Sequence, residues 1–178
     1  MERYFLIGYM GAGKTTLGKI LAKHKGLEFI DLDHFIENRY QKTINDIFRE
    51  RGEDGFRKIE SDLLKEVGNF ENVVISTGGG TPCFYDNIRY MNETGNTIYL
   101  KASPASLMKR ILLCKDKRPL LKDKSNQELL DFITDTLNKR EKFYNQAHII
   151  FGVEECCSVE DAEKFIMNLI KQINFNKN

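Results

Sequence analysis

Residues 8–16 read GYMGAGKTT and follow directly on the apolar run Tyr4-Phe5-Leu6-Ile7. Gly8, Gly13, Lys14 and Thr15 match the spacing G-x-x-x-x-G-K-[ST], with Gly11 as an additional glycine inside the loop. In this pattern glycines let the backbone turn so that successive N–H groups point at phosphate oxygens. The lysine reaches the β and γ oxygens, and the hydroxyl can ligate Mg2+. A helix predicted from Lys14 onward adds the positive end of its dipole. The strand before and the helix after the loop complete the context of a phosphate cradle.

Outward from the cradle, short β-rich runs alternate with helical patterns. The runs are residues 4–7, 28–31, 73–76, 97–100 and 149–151. Five strands separated by helical crossovers predict a parallel sheet, because parallel strands cannot be joined by tight turns. Ser125-Asn126-Gln127-Glu128 is a capping box, and Ser103-Pro104 pairs an N-cap with proline at the first helical position, so both mark helix starts. From Val159, the residues Ala162, Phe165, Ile166, Leu169, Ile170 and Ile173 recur at helical spacing and predict a last helix packed by one face. Residues 33–68 form a mostly helical insert placed to lie over the nucleotide, with one helix opening at Thr43-Ile44-Asn45-Asp46 and ending at Gly52. Residues 112–126, LLCKDKRPLLKDKSN, carry charge and proline without periodicity and are expected to form a lid loop.

With 178 residues the chain is sized for one domain, and 41% hydrophobic and 30% charged residues place it among folded globular proteins. A formal net charge of +1 provides no bulk field for nucleic acid or anionic membrane, so anion recognition must be local. No run of about 18 apolar residues exists to span a bilayer, and the first residues hold no signal-peptide core, which points to the cytoplasm. Cys83, Cys114, Cys156 and Cys157 contain no C-x-x-C pair and read as reduced, structural thiols.

A GTPase would need a guanine-reading N-K-x-D, and the nearest match, Asn138-Lys139-Arg140-Glu141, lacks the aspartate. A motor-type ATPase would place an acidic residue after Val73-Val74-Ile75, where Ser76-Thr77 and three glycines stand instead. A small-molecule kinase remains. The second strand ends in Asp31-Leu32-Asp33, where strand alternation would put both carboxylates on one side, near the ends at which α/β proteins bind ligands. One carboxylate is then available to Mg2+ and the other to an acceptor hydroxyl. In GFRKIE, residues 55–60, Arg57 and Glu60 stand three apart on one helix face, so Glu60 can hold the guanidinium. STGGG, residues 76–80, leaves backbone bare of side chains at a strand end.

GYMGAGKTT, DLD, GFRKIE, STGGG, RPLL (118–121) and REKFY (140–144), in that order and across nearly the whole chain, resemble the shikimate kinases. The resemblance implies an α/β, P-loop nucleoside-monophosphate-kinase-like three-layer fold, with a five-stranded parallel sheet flanked by helices. It also implies transfer of the γ-phosphate of ATP to the 3-hydroxyl of shikimate. Separately, the chain is expected to be a monomer with no nucleic-acid or membrane partner. By that resemblance Gly11, Ala12, Gly13, Lys14, Thr15, Thr16, Arg110 and Arg118 bind ATP, with Arg110 stacking on adenine. Thr15 and Asp31 hold Mg2+, Asp33 meets the reacting hydroxyl, and Lys14, Asp33 and Arg118 are catalytic. Arg57 and Arg140 clamp the shikimate carboxylate, Gly79 and Gly80 offer it backbone N–H groups, and Phe48 and Phe56 line the apolar wall. A planar guanidinium matches a carboxylate bidentately, which makes the paired arginines sensible on chemical grounds alone.

The residues by themselves leave two other readings open. One is another small-molecule kinase on the same fold, such as a gluconate or nucleoside monophosphate kinase; gluconate, a sugar acid, also offers a carboxylate and hydroxyls. A nucleotide-binding module that has lost the reaction would be expected to lack one of Lys14, Asp33 or Arg118, and all three are present.

Overall fold

A computed structural model describes residues 2–113, 125–154 and 159–175. Five strands, β1 (Arg3–Ile7), β2 (Glu28–Asp31), β3 (Val73–Ser76), β4 (Asn96–Lys101) and β5 (Ile149–Gly152), form one parallel sheet in the order β2-β3-β1-β4-β5. Each lies where its apolar run predicts, within one residue at either end. β1 is central, paired with β3 on one side and β4 on the other, and Tyr4 to Ile7 are wholly buried. That burial on both faces explains why β1 is an unbroken apolar run rather than an alternating one.

The crossovers are α1 (Lys14–Lys25), α2 (Leu32–Tyr40), α3 (Ile44–Val67), α4 (Asn87–Thr94), α5 (Pro104–Leu113), α6 (Asn126–Tyr144) and α7 (Val159–Phe175). α3 breaks at Gly52, whose φ of 69° is open to glycine and costly for other residues, so the predicted stop is a kink after which the helix resumes. α7 turns Ala162, Ile166, Leu169 and Ile173 inward and packs along α1. No helix among the described residues is long and apolar enough to cross a membrane.

Both predicted helix starts carry their caps. The Ser103 hydroxyl accepts from the Ser106 N–H at the head of α5. At α6 the bonding is reciprocal: the Glu128 N–H donates to Ser125 Oγ, and the Ser125 N–H donates to Glu128 Oε2 at 2.8 Å. α6 delivers Arg140 and Tyr144 at its far end, so its start is worth securing. Loss of an N-cap hydroxyl costs about 1 kcal/mol. Ser125→Ala should therefore lower the melting temperature by about 2–4 °C, whereas an unchanged melting curve would mean that tertiary packing alone holds this helix end.

Candidate active site

The carboxyl ends of β1, β2 and β3 meet along one edge of the sheet, and each supplies a different kind of group. After β1 the chain enters the glycine loop, where Gly8, Gly11 and Gly13 all have positive φ. Lys14 opens α1 and folds back over the loop, its ammonium donating to the carbonyls of Gly8 at 2.9 Å and Tyr9 at 3.1 Å. The Ala12 N–H closes the turn onto the Tyr9 carbonyl.

β2 ends at Asp31, two residues earlier than the strand-alternation argument requires. Asp31 is the N-cap of α2, its carboxylate accepting from the His34 N–H, and Asp33 lies in the first helical turn rather than on the strand. The two carboxylates are neighbours because a helix starts between them, which corrects the expectation that pleating aligns them. The Thr15 hydroxyl donates to Asp31 Oδ2 at 2.8 Å. Two hard oxygen donors thus lie side by side at a helix N-terminus, a set that suits Mg2+.

Part of the Asp33 side chain meets solvent, yet protein crowds the carboxylate closely enough that desolvation is the largest influence on it. Desolvation, then the negative charges of Asp31 and Glu60, raise its pKa from the ordinary 3.8 to about 6, against the opposing pull of Lys14.

After β3 come Gly78, Gly79 and Gly80, and each faces a different group. A Cβ on Gly78 would lie 2.7 Å from Glu60 Oε1 and 3.2 Å from Asp33 Oδ1. One on Gly79 would come within 3.3 Å of Arg140 Nη1, and one on Gly80 within 2.8 Å of Arg57 Nη2. Side chains at Gly78 and Gly80 would push on Glu60 and Arg57, and the fit at Gly79 is tight.

Arg57 is 11% exposed and donates through Nη1 to Glu60 Oε2 at 2.9 Å, and Glu60 is itself buried. The guanidinium lies over Phe84, with Phe56 and Phe48 beyond; the last two rings stack 4.3 Å apart. Arg140 lies over the ring of Tyr9, and one helical turn on, Tyr144 donates from its hydroxyl to the Gly79 carbonyl at 2.5 Å. Cys83 is half-buried near both arginines; burial, partly offset by their charge, pushes its thiol up to about 11, so at neutral pH it adds no charge.

The shikimate kinase family profile matches residues 10–170. A shikimate kinase from Phocaeicola vulgatus is 52% identical over 174 residues, 98% of this chain and 99% of that one. The chain belongs to the shikimate kinase family. The crystal structure of shikimate kinase from Bacteroides thetaiotaomicron matches with a TM-score of 0.94 at 50% identity, over 97% of this chain and 98% of the other. Shikimate kinase from Acinetobacter baumannii, in complex with shikimate, matches with a TM-score of 0.86 at 32% identity, over 99% and 95% of the two chains. The fold is the P-loop nucleoside-monophosphate-kinase-like one implied by the sequence motifs.

Of the residues that the sequence resemblance singles out, Lys14, Thr15, Asp31, Asp33, Arg57, Gly79, Gly80 and Arg140 come together at this edge. Arg110 lies beside the glycine loop, where its guanidinium donates to the carbonyls of Gly11, Val153 and Glu154. It braces the loop against the segment after β5, a part the sequence reading did not give it. Arg118 and most of the expected lid, residues 114–124, lie outside the described residues, as do Cys114, Cys156 and Cys157. Phe84 and Tyr144 had no assigned role; only their distant partners reveal one.

A carboxyl whose folded pKa is raised favours the protonated folded state, so its ionisation costs stability as pH rises from about 4 through about 6, and the cost is constant above. Asp33→Asn removes that penalty. The melting temperature of the variant relative to the parent should therefore be higher at pH 7.5 than at pH 4.5. An equal difference at both pH values would show that Asp33 ionises normally in the ligand-free enzyme.

Proposed function

We propose that this edge of the sheet performs the family reaction, transfer of the γ-phosphate of ATP to the 3-hydroxyl of shikimate to give shikimate 3-phosphate and ADP. The observation that carries the assignment of parts is the triglycine, which lies against the Asp33 and Glu60 carboxylates, Arg140 and Arg57 at three successive residues. A ligand resting on that bare backbone meets a carboxylate at one end and two guanidinium groups at the other. Shikimate, with a hydroxyl to phosphorylate and a carboxylate to hold, has that polarity.

Gly11, Ala12, Gly13, Lys14, Thr15 and Thr16 cradle the phosphates of ATP. Lys14 exchanges its loop carbonyls for phosphate oxygens and so neutralises charge that builds as the γ-phosphoryl moves. Thr15 and Asp31 would hold Mg2+, which supplies further neutralisation of the phosphates when bound. Asp33 accepts a hydrogen bond from the 3-hydroxyl and aligns it for in-line attack; with a pKa near 6 it is a stronger proton acceptor than an ordinary carboxylate. Arg57 and Arg140 grip the carboxylate, and the N–H groups of Gly79 and Gly80 add donors.

Arg110 borders the nucleotide, and the resemblance gives Arg118 the charge developing on the transferred phosphoryl group; of the expected lid over residues 112–126, the ends belong to α5 and α6. The reading is of a single domain, monomeric and cytoplasmic.

The test is ADP release on purified protein with shikimate, gluconate and the common nucleoside monophosphates, each with ATP. Only shikimate should support turnover well above background, and preference for another acceptor would overturn the assignment. Arg57→Ala would strand the buried Glu60 charge, a loss of about 3–5 kcal/mol of stability, so Arg140→Ala is the cleaner probe. It should raise shikimate KM by about one to two orders of magnitude, the equivalent of a lost charge-assisted contact, while ATP KM moves little. Equal changes in both would mean a structural role. Asp33→Asn should lose kcat and keep ATP binding, and the parent rate should climb with pH through about 6; an unchanged kcat leaves Asp33 no part in the chemistry. Arg118→Ala should lose about 10³-fold or more in kcat, with the nucleotide bound nearly as before.

A further inference from the structure

We propose that Thr81 is a positioning residue for the substrate clamp: its buried hydroxyl holds the Glu60 carboxylate in the rotation that keeps Arg57 turned toward Gly80. The proposal rests on the reading of Arg57 as a carboxylate-binding group. Thr81 has no exposed surface and opens the short 3-10 turn Thr81–Cys83 that follows the triglycine. Its Oγ1 donates to Glu60 Oε1 at 2.5 Å, while Glu60 Oε2 accepts from Arg57 Nη1 at 2.9 Å. One carboxylate therefore spans the two groups, an oxygen to each.

A glutamate's last torsion is broad and has little preference of its own. With one oxygen held by Thr81, the other is aimed at Arg57. Arg57 also has a competing partner, since its Nη2 lies 3.4 Å from Glu53 Oε1, and Glu53 is 61% exposed. A Glu60 free to rotate would let Arg57 follow Glu53 outward, away from the triglycine.

Thr81 is itself fixed. Its N–H donates to the Gly78 carbonyl, and its own carbonyl accepts from Asn87 Nδ2 at 2.9 Å. Asn87 is fully buried at the start of α4, and its Oδ1 accepts from the Ser61 hydroxyl at 2.7 Å. The chain from Ser61 through Asn87, Thr81 and Glu60 to Arg57 thus runs through buried polar groups, where a low local dielectric makes each bond strong and each loss costly. A Cβ at Gly78 would lie 3.0 Å from Thr81 Oγ1 and 2.7 Å from Glu60 Oε1, so the contact sits directly behind the proposed substrate floor.

The experiment is steady-state kinetics of the full chain with ATP and shikimate for Thr81→Val, Thr81→Ser and Arg57→Lys, with melting temperature as the check of folding. Thr81→Val keeps the shape and removes the donor. It should raise shikimate KM about tenfold with ATP KM within twofold, and Thr81→Ser should return shikimate KM to within about threefold of the parent. If Thr81→Val is not obtained folded, Thr81→Ala carries the same expectation. Arg57→Lys loses the planar fork and should raise shikimate KM on its own account. A rise for Arg57→Lys with none for Thr81→Val would overturn the positioning role and leave the clamp standing. No rise for Arg57→Lys would remove the clamp and the positioning role with it. Equal rises in both KM values for Thr81→Val, or no recovery with serine, would reduce the hydroxyl to a fold-stabilising contact and overturn the proposal.

Discussion

Everything at the site depends on the parallel pairing of β1 with β3. The register sets Leu6 against Ser76, and the Thr77 N–H donates to the Leu6 carbonyl, so the two strands end level. The glycine loop leaves from one end and the triglycine from the other, one strand spacing apart, about 5 Å. The β2–β3 pairing sets Asp31 against Ser76 and brings the acidic pair alongside. Groups separated by more than sixty residues in sequence thereby share one small volume. Slipping β3 by one residue would exchange the side chains it presents to the two faces of the sheet and pull the triglycine out of line with Lys14.

The same convergence creates an electrostatic problem that the fold answers with geometry. Asp31, Asp33 and Glu60 are mutually repulsive, and Glu60 is almost fully removed from water. A buried carboxylate is tolerable only when paired and hydrogen-bonded. Arg57 and Thr81 supply that to Glu60, Thr15 and the start of α2 supply it to Asp31, and Asp33, desolvated first and repelled by its neighbours second, carries a raised pKa. The strained member of the trio is the one that faces the substrate in the proposed reaction.

The strands and the helix starts were legible in the sequence because their signals are local: β-rich runs of three or four residues, a capping box at Ser125, an N-cap at Ser103. The first misreading also came from local rules. Strand alternation was carried through to Asp33, whereas a capping aspartate at 31 starts a helix at the next residue. The Arg57–Glu60 pair was visible as an i, i+3 spacing, but its burial was not, since nothing in GFRKIE says that three aromatic rings and a triglycine will close over it. Thr81, Phe84, Tyr144 and the bracing bonds of Arg110 were beyond reach for the same reason. Each acts through a partner that only the sheet order brings near.

Residues 78–80 are hemmed in by the enzyme's own charged groups, so a side chain at Gly78 or Gly80 would have to shift the Glu60 carboxylate or the Arg57 guanidinium, and one at Gly79 would crowd Arg140. That has a pharmacological meaning. An inhibitor that takes its affinity from the bare backbone of this stretch rests on a surface that a single substitution at Gly78 or Gly80 reshapes only by moving Glu60 or Arg57. One that leans instead on the exposed flank of the insert, around Glu53, meets residues that can change freely, and resistance would be expected to arise there first.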